Sequence, residues 1–138
     1  KSIQILELTR GNNPATHFVY KQLGILFEQT KQYDTAVSMY EQALSLEPAS
    51  SEIHNNLGKL HARLNRYQQA IEHFQKALDS KPSLSEPHLN LADIYLKQPN
   101  DKQKAVYHLR AWLAQAPQDK RAAKIRKTIE QIQRGNEK

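Results

Sequence analysis

The sequence predicts an all-α fold, an α-solenoid of stacked helix-turn-helix units closed by a C-terminal capping helix. Two observations carry this. Pro14, Pro48, Pro82 and Pro117 recur at intervals of 34, 34 and 35 residues. Ten residues after each of the first three stands a small residue, Gly24, Gly58 or Ala92. Regular punctuation with a regular small residue marks one structural unit repeated along the chain. Stacked repeats present an extended surface rather than an enclosed catalytic pocket, so binding is the first functional expectation.

The elements follow in order. Residues 1–16 read as the second helix of a preceding, truncated unit. Leu6 falls in the column later held by Tyr40 and Phe74, and Gly11 after Arg10 is a helix-stop signal. The chain is therefore expected to be a piece of a longer protein, starting inside a repeat. Three full units are expected at 17–50, 51–84 and 85–119. In the first, Val19, Leu23, Leu26 and Phe27 mark one amphipathic helix, and Ala36, Val37, Tyr40, Ala43 and Leu44 mark the second. The polar stretch Gln29 to Gln32 is too short for anything but an antiparallel turn. Gly24 and Ala36 lack bulk, so the paired helices can approach closely. Each proline then ends the second helix, because the residue before a proline is disfavoured in helix.

The third unit carries one inserted residue, in Gln98-Pro99-Asn100-Asp101. Pro99 should stop its first helix, and Asn100 or Asp101 should cap the second. Trp112 replaces the small Ala43 and Ala77, so it should pack on the capping helix expected at 120–134. That helix shows an apolar stripe of Ala122, Ile125, Ile129 and Ile132, with Gly135 as a stop and 135–138 as a tail.

The aligned columns carry a resemblance. Tyr20, Leu23, Gly24, Phe27, Tyr33, Ala36, Tyr40, Ala43 and Pro48 align with His54, Leu57, Gly58, His61, Tyr67, Ala70, Phe74, Ala77 and Pro82. The third unit continues with His88, Leu91, Ala92, Tyr95, Ala105, Leu109, Trp112 and Pro117. Over roughly residues 17–119 the chain closely resembles the tetratricopeptide repeat (TPR) family. The resemblance implies a right-handed superhelix whose first helices line a concave groove.

That implication nominates a peptide groove: Lys21, Gln22, Ile25, Asn55, Asn56, Lys59, Arg63, Asn90, Asp93 and Lys97. Leu89 and Gln29 share its columns. The Gln22–Asn56–Asn90 column matters most, because an amide both donates and accepts and can pair with a peptide backbone of any sequence. The TPR region of O-GlcNAc transferase uses an Asn ladder in this column, and this chain is similar there. Chaperone-binding members of the family instead grip a C-terminal carboxylate with a Lys, Asn, Asn, Lys, Arg clamp. Lys21 and Asn56 match two of its places. Ile25, Glu86 and Asn90 depart from the other three, and Glu86 in place of a cation would repel a carboxylate. No chaperone carboxylate clamp is expected.

Composition narrows the classes. The 138 residues contain no Cys, so neither a disulfide nor a thiolate metal site is available. No apolar run reaches 18 residues, so no transmembrane segment is expected. A soluble protein of cytoplasm or periplasm fits equally. No Gly-rich phosphate loop or Gly-x-Ser-x-Gly nucleophile motif occurs, so an enzyme is not expected, and neither is a cofactor. The six His include no pair three or four apart, so no metal site is expected. His54, His61 and His88 should instead pack at helix contacts with one nitrogen hydrogen-bonded.

The net charge is +6, and residues 117–138 hold seven Lys or Arg against three Asp or Glu. Lys120, Arg121, Lys124 and Lys127 form a basic patch open to nucleic acid or an anionic surface. Its lack of aromatic side chains disfavours nucleic acid, and a solvated capping helix accounts for it. The leading expectation is a scaffold holding a peptide or helix of another protein in its groove. The alternatives are the basic patch as the binding site, or a regulatory or packing module of a larger multidomain protein.

Overall fold

The computed structural model describes residues 14–97 and 101–136. Within them the chain forms seven helices and no strand: α1 Pro14–Gln29, α2 Tyr33–Leu46, α3 Ser51–Arg63, α4 Tyr67–Ser80, α5 Glu86–Lys97, α6 Lys102–Gln115 and α7 Ala122–Asn136. The helix expected over the first residues lies outside the described residues except for 14–16, which open α1. Pro14 occupies the first position of α1, where its missing N–H costs nothing. Pro48, Pro82 and Pro117 each stand two residues beyond a helix end, at α2, α4 and α6. The all-α reading holds, and Pro48, Pro82 and Pro117 punctuate as expected.

The chain divides into two compact units, meeting between Ser80 and Lys81. The first holds the hairpins α1–α2 and α3–α4. Ala36, Val37, Tyr40 and Ala43 of α2 join Ile53, Leu57 and Leu60 of α3 in one buried cluster. Each fully buried Leu or Ile there contributes about 1.5–3 kcal/mol. Ala70, Phe74 and Ala77 of α4 are fully buried as well. The close approach predicted at the glycines is present. A Cβ on Gly24 would meet the Tyr40 ring at 2.7 Å, and one on Gly58 the Phe74 ring at 2.6 Å.

Both turns of this unit use the same device. Lys31 (φ 64°) and Asn65 (φ 61°) take the left-handed conformation. The amides of Gln32 and Arg66 then reach back to the carbonyls of Phe27 and His61, each 2.8 Å away, closing Schellman motifs. Ser50 precedes α3, and its hydroxyl accepts from the Ile53 amide at 3.4 Å.

The second unit holds the hairpin α5–α6 and the helix α7. Its core comprises Leu91, Ala92 and Ile94 of α5, Ala105, Val106, Leu109 and Trp112 of α6, and Ala122 and Ile129 of α7. Trp112 is fully buried. The Arg121 guanidinium lies 5.3 Å from its ring centroid, just ahead of α7. Two expectations need correction. Asp101 occupies the N-cap of α6 but makes no capping bond; its carboxylate pairs with Lys104 at 3.6 Å instead. Gly135 does not stop α7, which runs to Asn136 with no glycine in the left-handed region. Gln98, Pro99 and Asn100 lie outside the described residues.

Candidate binding face

In the first unit, α1 and α3 supply the nominated side chains. Gln22 is exposed on α1, and Asn56 is half-buried at the equivalent place on α3. Both sit one residue before the buried-face leucines, Leu23 and Leu57. The helical phase that buries Leu57 therefore carries Asn56 toward the margin of the face. Asn55 is half-buried beside it and already engaged in an interaction. Lys59 is exposed one turn further on.

The charges on this face are largely spoken for. The Lys21 ammonium donates to Glu52 Oε2 at 3.1 Å, tying α1 to α3, and lies 5.6 Å from the Phe18 ring centroid. Arg63 donates to the Tyr33 hydroxyl at 3.3 Å and lies over that ring at 5.5 Å. Ile25 is half-buried and packs against the core cluster, which leaves little of it for a ligand. Glu52 was not singled out from the sequence. Its column holds Phe18 one repeat before and Glu86 one repeat after, so the available signal was the acidic pair Glu52 and Glu86.

In the second unit, Asn90, Asp93 and Lys97 lie on α5. Asn90 is half-buried and engaged. Lys97 pairs with Asp93 at 3.2 Å, one turn apart, so the two cancel locally. Glu86 at the start of α5 pairs with Arg121 at 3.5 Å.

Arg121, named with the basic patch, is exposed but paired with carboxylates. Besides Glu86 and the Trp112 ring, it donates from Nε and Nη2 to the two carboxylate oxygens of Asp119, each at 3.1 Å. The Arg121 backbone amide adds a bond to Asp119 at 2.8 Å. These bonds pull the Asp119 carboxyl down to about 2. Lys120, Lys124 and Lys127 are exposed.

The histidines form clusters that sequence reading missed. His54 of α3 and His73 of α4 face each other with Nδ1 atoms 3.1 Å apart, and His61 stacks on His73. His88 of α5 and His108 of α6 repeat the contact at 3.0 Å, with Tyr95 stacked on His108. Spacing along one helix hides them, because the partners are 19 and 20 residues apart across a turn. The available signal was columnar: His73 and His108 share a register once the inserted residue is counted. Among the described residues no group of three or more His, Cys, Asp or Glu could hold a metal ion.

Two sequence models described as tetratricopeptide repeat match the chain, over residues 21–85 and 62–129. No curated protein matches it. Solved structures match across most of its length. The first TPR of Spaghetti (RPAP3), bound to the HSP90 peptide SRMEEVD, is 15% identical with a TM-score of 0.78, covering 91% of this chain and 97% of that one. MamA is 18% identical with a TM-score of 0.82, covering 98% of this chain and 74% of that one. The OM64 TPR domain of Arabidopsis is 24% identical with a TM-score of 0.78, covering 88% and 98%. At these identities the likeness speaks for the fold.

Proposed function

Because the chain belongs to the tetratricopeptide repeat family, whose repeats generally mediate protein–protein interaction, we propose that it is a binding scaffold and not an enzyme. It holds an extended segment of another protein against the exposed face of α1 and α3. The observation that carries this reading is the amide pair Gln22 and Asn56, at equivalent places on successive first helices. Paired amides one repeat apart suit backbone recognition along a strand-like segment. Lys59 lies beside them to attract acidic side chains. Asn90 stands at the corresponding place on α5 of the second unit.

A carboxylate-gripping mode is disfavoured. Lys21 is held by Glu52, Ile25 packs on the core, and Glu86 carries the wrong sign. The peptide SRMEEVD that Spaghetti binds is therefore expected not to bind this chain saturably. Among the described residues no helix is long and apolar enough to cross a membrane.

The test is affinity capture of partners on the intact domain beside a Gln22→Ala/Asn56→Ala/Asn90→Ala variant. Each captured segment is then remade as a peptide and titrated against both. The variant should bind clearly more weakly while keeping its helical circular dichroism. Equal affinity would remove the amides from the site. A loss produced instead by charge reversal at Lys124 and Lys127 would move binding to the basic helix. Steep salt dependence would accompany that outcome.

A further inference from the structure

We infer that the hairpins α3–α4 and α5–α6 are acid-released: each is held by a hydrogen bond between two imidazoles that cannot survive full protonation of the pair. The bond joins His54 to His73 in one hairpin and His88 to His108 in the other, at equivalent register. Both pairs lie between the two helices of their hairpin, where His54 and His108 are buried.

The direction of the first bond follows from its surroundings. His54 Nε2 lies 2.9 Å from the Pro48 carbonyl oxygen, which only accepts. Nε2 must therefore carry the proton in the neutral ring, leaving Nδ1 as an acceptor for His73 Nδ1–H. A first added proton is accommodated. With one proton added, the pair still offers one N–H and one acceptor across the 3.1 Å gap. A second proton leaves two N–H groups facing each other at 3.1 Å with no acceptor between them. The folded pair thus takes one proton where the unfolded chain takes two.

The surroundings oppose that second proton. His61 stacks nearly parallel on His73, with ring centroids 5.4 Å apart. Burial first, then His54, His61 and Lys76 of α4, hold His73 at about 4. Burial and then Arg66, in the turn, lower His61 against an opposing pull from Glu41 of α2. In the second cluster, burial and then His88 hold His108 at about 4, and burial lowers His88. There Tyr95 stacks on His108, Tyr107 meets it edge-on, and the Lys104 ammonium stands over the Tyr95 ring.

The first hairpin lacks the imidazole pair; its one histidine, His17, instead faces two acceptors, the Ala43 carbonyl oxygen at 3.2 Å and the Glu47 carboxylate at 3.9 Å. Tyr20 and Met39 occupy the places of His54 and His73, and neither takes up a proton in acid. The sign follows from the lowered folded values. A histidine depressed in the folded state contributes no penalty above pH 6.5. It then destabilises progressively as pH falls from about 6.5 toward 4. The folding equilibrium constant should drop about tenfold per pH unit for each ring excluded from protonation.

The experiment uses the full chain. Urea midpoints are measured from pH 7.5 to 4.5 for the unsubstituted protein and for His73→Met/His108→Met, which installs the first hairpin's residue in both clusters. Wild type should lose stability steeply below pH 6.5, and the variant should lose markedly less. In parallel, imidazole ¹⁵N spectra of the unsubstituted protein should show one ring of each pair resisting protonation down to about pH 4.5. Amide exchange, corrected for its intrinsic pH dependence, should accelerate in α3–α6 before α1–α2. The inference is overturned if all four rings titrate near 6.5 in the folded protein, or if the variant's pH profile parallels wild type. Should the double variant fail to fold, the ¹⁵N and exchange measurements on the unsubstituted chain still decide it.

Discussion

A Cβ placed on Gly58 would lie 2.6 Å from Cε1 of Phe74, closer than carbon atoms pack. Phe74 is fully buried, so its ring has no free space to yield into. Gly58→Ala is therefore expected to destabilise the domain even though Ala gains about 1 kcal/mol of helix propensity over Gly. Overpacking costs about 1–3 kcal/mol, and Gly58→Leu should cost more than Gly58→Ala. Phe74→Leu should recover part of the Gly58→Ala loss by clearing the ring. Gly135 has nothing within 4 Å, so Gly135→Ala should be neutral or slightly stabilising. Urea midpoints of the four variants check the set; a Gly58→Ala protein as stable as wild type would mean the crossing is looser than the structure has it.

The first hairpin solves the same crossing with a polar pair. The Tyr40 hydroxyl donates to Glu28 Oε1 at 2.9 Å. Burial, reinforced by Glu28, pushes the phenol above its ordinary range, so it stays protonated. One repeat on, the same two columns hold Phe74 and Ala62. Tyr40→Phe should cost about 1 kcal/mol, and Glu28→Ala a similar amount, because each strands its partner. The double variant recreates the second hairpin's pair and should cost less than the two added together. A double-mutant cycle showing no coupling would count the hydroxyl bond as energetically idle.

How far the sequence could be read follows from which interactions are periodic. The glycine column, the apolar runs and the prolines repeat about every 34 residues, so the hairpins and the close crossings are legible in the sequence. The histidine pairs also repeat, but across a turn and only after the inserted residue is counted, and single-helix spacing hid them. The acidic position repeats, as Glu52 and Glu86, but its cation does not: the Lys21 column continues with Asn55 and Leu89, so nothing announced that Glu52 would hold Lys21. Arg121 likewise stood out as part of a basic run, whereas the fold spends it on Asp119, Glu86 and Trp112. Side chains that act once are set by tertiary contacts, and a repeat pattern carries no information about them.

Asp119 gives a pH signature distinct from that of the histidines. Its carboxyl is held at about 2, first by the Arg121 side chain and then by the Arg121 backbone amide. A depressed carboxyl contributes stability that is present above its unfolded value of 3.8 and is lost as pH falls through 2. The stability difference between wild type and Asp119→Asn should therefore stay constant from pH 7 to 5 and shrink only between about 4 and 2. Fluorescence of Trp112, the single tryptophan, reports the same site. Arg121→Ala should uncover the ring and shift its emission to the red, and unchanged emission would place the guanidinium elsewhere.

The Lys21–Glu52 bridge should set how the proposed peptide face treats charge. The bond is 3.1 Å long, with the Lys21 side chain mostly covered and Glu52 mostly exposed. While it stands, Lys21 offers little net charge to a ligand, and Glu52 repels acidic side chains approaching α1 and α3. Glu52→Gln should release the ammonium without removing the side chain's bulk. Affinity for a captured segment bearing acidic residues should rise, and the gain should shrink as salt is added. Asn56→Ala should weaken the same segment by about 0.5–1.5 kcal/mol whatever its charge, because a backbone bond is lost rather than a field. Lys21→Ala should cancel the benefit of Glu52→Gln when the two are combined. Titration of one acidic and one neutral segment against these variants separates the two effects. If Glu52→Gln improves both segments equally, or neither, the bridge is a structural tie and does not tune the face.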